Sequence, residues 1–304
     1  MYYNYAPIVM FTYCRLANTK ETIEHLKKNE EAKDTDLIIY SDAPKNERAE
    51  EGVMKTREYI HSISGFKSIK IIEREKNMGL ANSIVDGVTS VVNQYGRVIV
   101  LEDDLSVSPY FLKYMNEGLD RYENRDDIVS IHGYIYPVKT KLPEAILIKG
   151  ADCWGWATWK RGWDIFSFDA KSLYEQIKKT HRAKEFDFNY SYPYMDMLGR
   201  QIDGSAGSWA VCWYASAFLH NKYTVYPGQS LVQVNDLEGI GSTHGATPSY
   251  YRVNVKPTPI LWENADDSVE SEEARKAIEL FFQSHRGRSN IYQRILKKIL
   301  LLLQ

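Results

Sequence analysis

Three consecutive carboxylates, Glu102, Asp103 and Asp104, directly follow the apolar run Val98-Ile99-Val100-Leu101. A buried strand ending there delivers three negative charges to one edge of its sheet, and their mutual repulsion is costly unless a cation neutralises it. Carboxylate oxygens are hard ligands, so the cation that suits this cluster is Mg2+ or Mn2+ rather than a softer metal. The same residues also suit an acidic turn leading into a helix near Pro109, because negative side chains favour the free amides of a helix start. Spacing alone leaves both readings open.

The elements that must position this cluster are legible in the apolar periodicity. Residues 8–11, 37–40, 69–72 and 98–101 read as strands, and residues 19–28, 47–63 and 80–92 as helices between them. Such alternation implies an α/β fold with a mainly parallel sheet, since parallel neighbours need long crossovers, and ligands in such sheets sit beyond the carboxyl ends of the strands. The polar segments 12–15, 41–45, 73–79 and 102–106 occupy those ends. Residues 1–130 form the first lobe on this reading. Beyond them the alternation fades, and a block rich in Trp, Tyr and Gly runs to about residue 250. Residues 131–286 are expected as a second lobe of the same domain that covers the first, with an acidic helix beginning near Ser271. Residues 287–304 make a basic, apolar tail after Gly287, and no internal repeat is visible.

The charge balance narrows the partners. Among 304 residues, 38 Lys and Arg stand against 40 Asp and Glu, so the chain lacks the basic field that gathers nucleic acid by counterion release. No nucleic-acid partner is expected. Cys14, Cys153 and Cys212 are odd in number and widely spaced, which suits neither a disulfide framework nor a thiolate metal site, and a reducing cytoplasm is the expected home. The N-terminus shows no basic region followed by an apolar run, so no secretory signal is expected. No apolar stretch reaches the roughly twenty residues of a membrane-spanning helix.

Several separated motifs carry a resemblance. The run from Val98 through Leu105, followed by Ser108-Pro109-Tyr110-Phe111, resembles the acidic segment of GT-A fold glycosyltransferases, and its Glu-Asp-Asp form is similar to that of N-acetylglucosaminyltransferase I and of bacterial family 2-like sugar transferases. Pro7-Ile8-Val9-Met10-Phe11-Thr12-Tyr13-Cys14-Arg15, Asn77-Met78-Gly79-Leu80-Ala81-Asn82-Ser83 and Trp154-Gly155-Trp156-Ala157-Thr158-Trp159 extend the bacterial resemblance over most of residues 6–250. It implies a GT-A (Rossmann-like) sheet, a nucleotide-sugar donor, an Mn2+ or Mg2+ cofactor, and inverting transfer to a hydroxyl of a bacterial surface glycan or lipid-linked oligosaccharide.

Carried over residue by residue, the resemblance puts Thr12, Tyr13 and Arg15 around the nucleotide, with Asp42 accepting a hydrogen bond from the base; together with the acidic motif, Asp42 favours UDP. Asn77, Gly79 and Ser83 lie against the nucleotide or donor sugar. Asp104 binds the cation, Asp103 the ribose or the cation through water, and Glu102 the donor sugar. Asp203, in the glycine-rich segment before a helix over 209–219, is the expected base, with Asp152 as the alternative. No Asp immediately flanks Trp209, where the resembling enzymes carry one. His244, in a glycine loop, completes the metal shell or binds phosphate when protonated, or else is a solvent-facing loop histidine. Trp154, Trp156, Trp159 and Trp163 are mostly core, with one or two free to stack on a sugar.

A nucleotidyltransferase would need similar carboxylates but also a glycine-rich, basic phosphate loop, which residues 11–16 do not form. A non-catalytic glycan-binding protein would use the aromatic block and leave the trio structural. The tail, residues 290–304, forms a basic amphipathic helix suited to the inner face of an anionic membrane, to the catalytic domain or to a homodimer partner.

Overall fold

The computed structural model describes residues 5–204, 207–235 and 247–285. The first half alternates as its periodicity requires: β1 (Ile8–Thr12), α1 (Leu16–Leu26), β2 (Asp36–Ser41), α2 (Glu47–His61), β3 (Ser68–Glu73), α3 (Leu80–Tyr95) and β4 (Arg97–Glu102). A short strand, β5 (Leu105–Val107), and α4 (Phe111–Arg121) follow. The second half contains β6 (Ile128–His132), β7 (Ala145–Lys149), β8 (Trp156–Trp159), α5 (Lys160–Trp163), α6 (Ala170–Lys179), α7 (Ala183–Phe186), α8 (Tyr194–Ile202), α9 (Trp209–Leu219), β9 (Tyr223–Pro227), β10 (Val232–Val234), β11 (Asp266–Glu270) and α10 (Glu272–His285).

One nine-stranded sheet runs in the order β11-β7-β9-β6-β8-β4-β1-β2-β3, with β8, β7 and β11 antiparallel to the other strands. The fold is thus α/β with a large, mostly parallel sheet flanked by helices, the GT-A, Rossmann-like arrangement. Residues beyond 130 extend this sheet through β6 to β9 and β11, and α9 packs over its face against β1 and β4. The alternation faded there because antiparallel strands need no regular crossover helix.

The central strands are buried on both faces, which is why they read as unbroken apolar runs. Ile8 and Met10 of β1 and Ile99 and Leu101 of β4 join one core with Ile23 and Leu26 of α1 and Phe111 and Met115 of α4. Their alternates Val9, Phe11, Val98 and Val100 join a second core with Ile84 and Val88 of α3 and Trp209 and Trp213 of α9. Trp156, Trp163, Trp209 and Trp213 pack together there, with ring centroids 5.3 to 5.7 Å apart. Trp159 is also buried, donating from Nε1 to Leu119 O at 3.1 Å. Only Trp154 of the expected four is half-buried.

Local chemistry sets the helix ends. Gly79, with φ +73°, precedes α3 and left-handed Gly96 closes it, the backbone region glycine reaches without strain. Asp169 and Ser208 cap α6 and α9 by accepting from Ser172 N and Val211 N. β5 pairs antiparallel with β10, and Asn235 N donates to Asp104 O at 2.8 Å, so this ribbon fixes the main chain just past the acidic trio.

Beside the ribbon, Gly133 N donates to Gly155 O at 2.7 Å, and Gly155 has φ +66°. A Cβ on Gly155 would lie 2.8 Å from Val232 Cγ2. Gly155→Ala should therefore destabilise the protein by about 2–4 kcal/mol, combining left-handed strain with overpacking. Urea unfolding should show a lower midpoint at an unchanged m-value; an unmoved midpoint would refute this packing account.

Candidate active site

The chain leaves β1 for β2 on one side and reaches β4 on the other, with α1 and α3 on opposite faces, so a crevice opens beyond the carboxyl ends of β1 and β4. Glu102 is the last residue of β4 and is in register with Phe11. Arg15, at the start of α1, spreads its guanidinium over two of the carboxylates. Nη1 donates to Asp104 Oδ2 at 3.0 Å and Nη2 to Asp103 Oδ1. Asp103 is buried, and α1 holds it from the other side: Thr19 Oγ1 lies 3.4 Å from Asp103 Oδ2 and Thr22 Oγ1 donates to Asp103 O at 2.9 Å.

Burial, followed by the charge of Asp104, pushes Glu102 up to about 8 despite the opposing pull of Arg15. Burial likewise raises Asp103 against the stabilising field of Arg15. The cluster holds three carboxylates, with one guanidinium paired to Asp103 and Asp104. Oxygen-only donors fit Mg2+ or Mn2+. Among the described residues no group of three or more Asp, Glu, His or Cys is arranged to hold a metal ion.

The other first-half residues gather at the same edge. Thr12 Oγ1 is buried at the end of β1 without a hydrogen-bond partner among the described residues. Tyr13 OH accepts from Lys45 N at 2.9 Å. Ser83 is buried in the first turn of α3, its amide donating to Gly79 O at 3.0 Å.

Asp42 differs from the expectation of a base-binding carboxylate. Its Oδ1 accepts from Ala43 N and Met78 N, both at 2.9 Å, and its Oδ2 from Asn77 Nδ2 at 3.1 Å and Gly79 N at 2.9 Å. A carboxylate offers about four acceptor positions, and protein donors fill them. Asp42 shapes the 77–79 turn instead of presenting an acceptor to a base. Asn77 also donates to Ala43 O at 2.7 Å, tying the turn to the end of β2.

Antiparallel β8 brings a second acidic group to this edge. Trp156 at its start is in register with Val100 of β4 and His132 of β6, so residues 152–155 lie where β4 and β6 end. Half-buried Asp152 accepts from Cys153 N at 2.8 Å, Tyr136 OH at 3.2 Å and Tyr226 OH at 3.3 Å. The Cys153 side chain is hydrogen-bonded to it as well. Burial first, then the charges of Asp152 and Glu102, raise the Cys153 thiol.

Asp203 sits at the end of α8, a helix packed on α6 and α9, and is exposed to solvent. His244 and the tail 287–304 lie outside the described residues.

Sequence reasoning missed His132, Tyr136 and Tyr226. Buried His132 accepts from Trp154 N at 3.0 Å through Nε2, and burial lowers its basicity. Its place at the end of an apolar run, residues 128–131, was an available signal. The convergence of the two tyrosines on Asp152 had none.

Residues 8–178 match the profile of Glycosyl transferase family 2, and the chain belongs to that family. Among solved structures, S. aureus TarS is similar with a TM-score of 0.30 and 14% identity, over 39% of this chain and 20% of TarS. TarS 1–349 gives a TM-score of 0.32 and 15% identity, over 46% of this chain and 41% of the other. The mannosyltransferase PcManGT from Pyrobaculum calidifontis, in complex with GDP-Man and Mn2+, gives 0.31 and 11%, over 44% and 37%. The matched part spans less than half the length of each of these chains. No curated protein matches the sequence. Among the described residues no helix is long and apolar enough to cross a membrane.

If Asp42 shapes the 77–79 turn, Asp42→Asn puts an amide where donors converge and should cost roughly 1–3 kcal/mol. Hydrogen exchange at the Met78 and Gly79 amides should accelerate in the protein without ligand. Unchanged exchange at both would remove the assignment.

Proposed function

We propose that this protein is an inverting glycosyltransferase that moves a sugar from a nucleoside-diphosphate donor to an acceptor hydroxyl, with Asp152 as the base. The observation that carries this reading is the placement of Asp152 and the acidic trio on one sheet edge, where β8 begins beside the end of β4. A glycosyl transfer by direct displacement needs a group that stabilises the departing diphosphate and, on the opposite side of the reacting carbon, one that takes the acceptor proton. The trio and Asp152 supply such a pair.

In this reading Thr12, Tyr13 and the turn at 77–79 line the nucleotide, Glu102 contacts the donor sugar, and Asp103 and Asp104 are the residues that would hold Mg2+ or Mn2+. That cation, when bound, offsets the charge developing on the diphosphate. Asp152 is oriented by Tyr136 and Tyr226, and its carboxylate would take the proton of the incoming hydroxyl. Trp154 and Tyr192, both half-buried, provide aromatic faces on this side of the site, and the charge of Asp152 is felt at Tyr192. Such faces suit a glycan acceptor, and a surface glycan or lipid-linked oligosaccharide is the class proposed. With its acceptor positions taken up by the 77–79 turn, Asp42 does not favour UDP, and the proposed donor is a nucleoside-diphosphate sugar.

Asp152 is preferred to Asp203 because it is held in a defined orientation inside the site, whereas Asp203 is solvent-exposed at a helix end. Asp152→Asn should reduce kcat by about 10²–10⁴-fold while leaving donor binding intact, and Asp203→Asn should stay within roughly twofold of wild type. Steady-state transfer with a donor panel and nucleotide titrations would check both; a dead Asp203→Asn beside an active Asp152→Asn would reverse the assignment. Asp104→Asn should abolish metal-stimulated release of nucleoside diphosphate with the thermal midpoint nearly unmoved, and metal stimulation equal to wild type would refute the cation role.

A further inference from the structure

Arg15 is tethered at its main chain and committed at its side chain. Its carbonyl accepts from Thr19 N and from Thr19 Oγ1, both at 2.9 Å, so the first turn of α1 fixes its position. Its guanidinium fork takes Asp103 with one nitrogen and Asp104 with the other. The main chain that carries the two carboxylates is placed by other contacts than that fork. Asp103 is also held by Thr19 and Thr22, and the main chain at Asp104 is fixed by Asn235. The guanidinium can therefore leave while the main chain carrying the acidic groups stays in position.

We propose that Arg15 is the resident counter-ion of the acidic trio and that a divalent cation reaches Asp104 by displacing it, so that Arg15 sets the cation affinity of the site. This rests on the reading of Asp103 and Asp104 as cation ligands. A carboxylate oxygen engaged by a guanidinium has lost part of its electron-pair donation, and two positive groups a few ångströms apart repel strongly in a poorly solvated cleft. Cation binding is consequently an exchange of one counter-charge for another, not occupation of a bare acidic pocket. Release from Asp104 also frees the guanidinium within the cleft where donor phosphates would lie.

The test measures Mn2+ binding without nucleotide, from the paramagnetic resonance signal of free Mn2+, for wild type, Arg15→Met and Arg15→Lys. Removing the charge should tighten binding roughly tenfold or more. Arg15→Lys keeps the charge but loses the fork that spans two carboxylates, so it should tighten binding by about threefold. If Arg15→Met does not fold, the lysine variant decides alone: tighter binding supports the exchange, and equal or weaker binding overturns it. A purely structural role would lower the thermal midpoint of the variants and leave Mn2+ affinity where it was. If wild type binds Mn2+ and the variants bind it no more tightly, the exchange fails while the cation site stands. If no form binds Mn2+, with or without a nucleoside diphosphate, the cation reading fails and takes this inference with it.

Discussion

One guanidinium facing adjacent carboxylates at the end of a buried strand is the interaction on which the arrangement of the site depends. Removing one partner of a buried ion pair costs on the order of 3–5 kcal/mol, so the neighbouring elements must keep these charges together. Parallel pairing of β1 with β4 does this, since Arg15 follows the end of β1 by three residues and Asp103 immediately follows β4. α1 must then begin at once, which brings Thr19 and Thr22 against Asp103. The β5–β10 ribbon anchors the chain on the far side of Asp104. The first three crossovers serve this edge as much as they serve the core.

β8 has a different task. Inserted between β4 and β6 against both, it starts where they finish, and the loop before it is the place from which a second carboxylate can face the first group. A parallel strand in that position would have put its leading loop at the opposite edge. The close contact of Gly133 and Gly155 lets the chain pass under Val232 without displacing the ribbon. The glycines, the reversed strand and the tyrosines at 136 and 226 thus act on one residue, Asp152.

How much of this was legible in the sequence depended on the range of the interaction. The seven elements up to residue 102, and α9 over Trp209–Leu219, follow from periodicity within one segment, where burial and local propensity agree. The acidic trio was visible because strand and carboxylates are contiguous. The sheet order beyond residue 130 was not, because strands of three to five residues pair across long separations and carry little pattern of their own. Asp42 was ambiguous for a chemical reason: a carboxylate after a parallel strand suits a ligand donor and backbone donors equally, and the amides at Met78 and Gly79 take its oxygens here. Asp203 was preferred for its place in a glycine-rich segment before the Trp209 helix, where the resembling enzymes carry their base, whereas the enclosure of Asp152 comes from tyrosines 16 and 74 positions away in the chain.

The tryptophans give the molecule a distinctive optical character. Five of the seven are buried, and four of these, Trp156, Trp163, Trp209 and Trp213, are close enough for excitation to pass among their indoles before it is emitted. Their emission reports the sheet face that α3 and α9 cover and is shielded from solvent. Trp154 is half-buried beside Asp152, while Trp262 is held at the far edge against Tyr114 and Glu117. The fluorescence therefore divides by position: a blue-shifted interior band follows the integrity of the fold, and the indole at residue 154 is the one placed to register an occupant of the cleft.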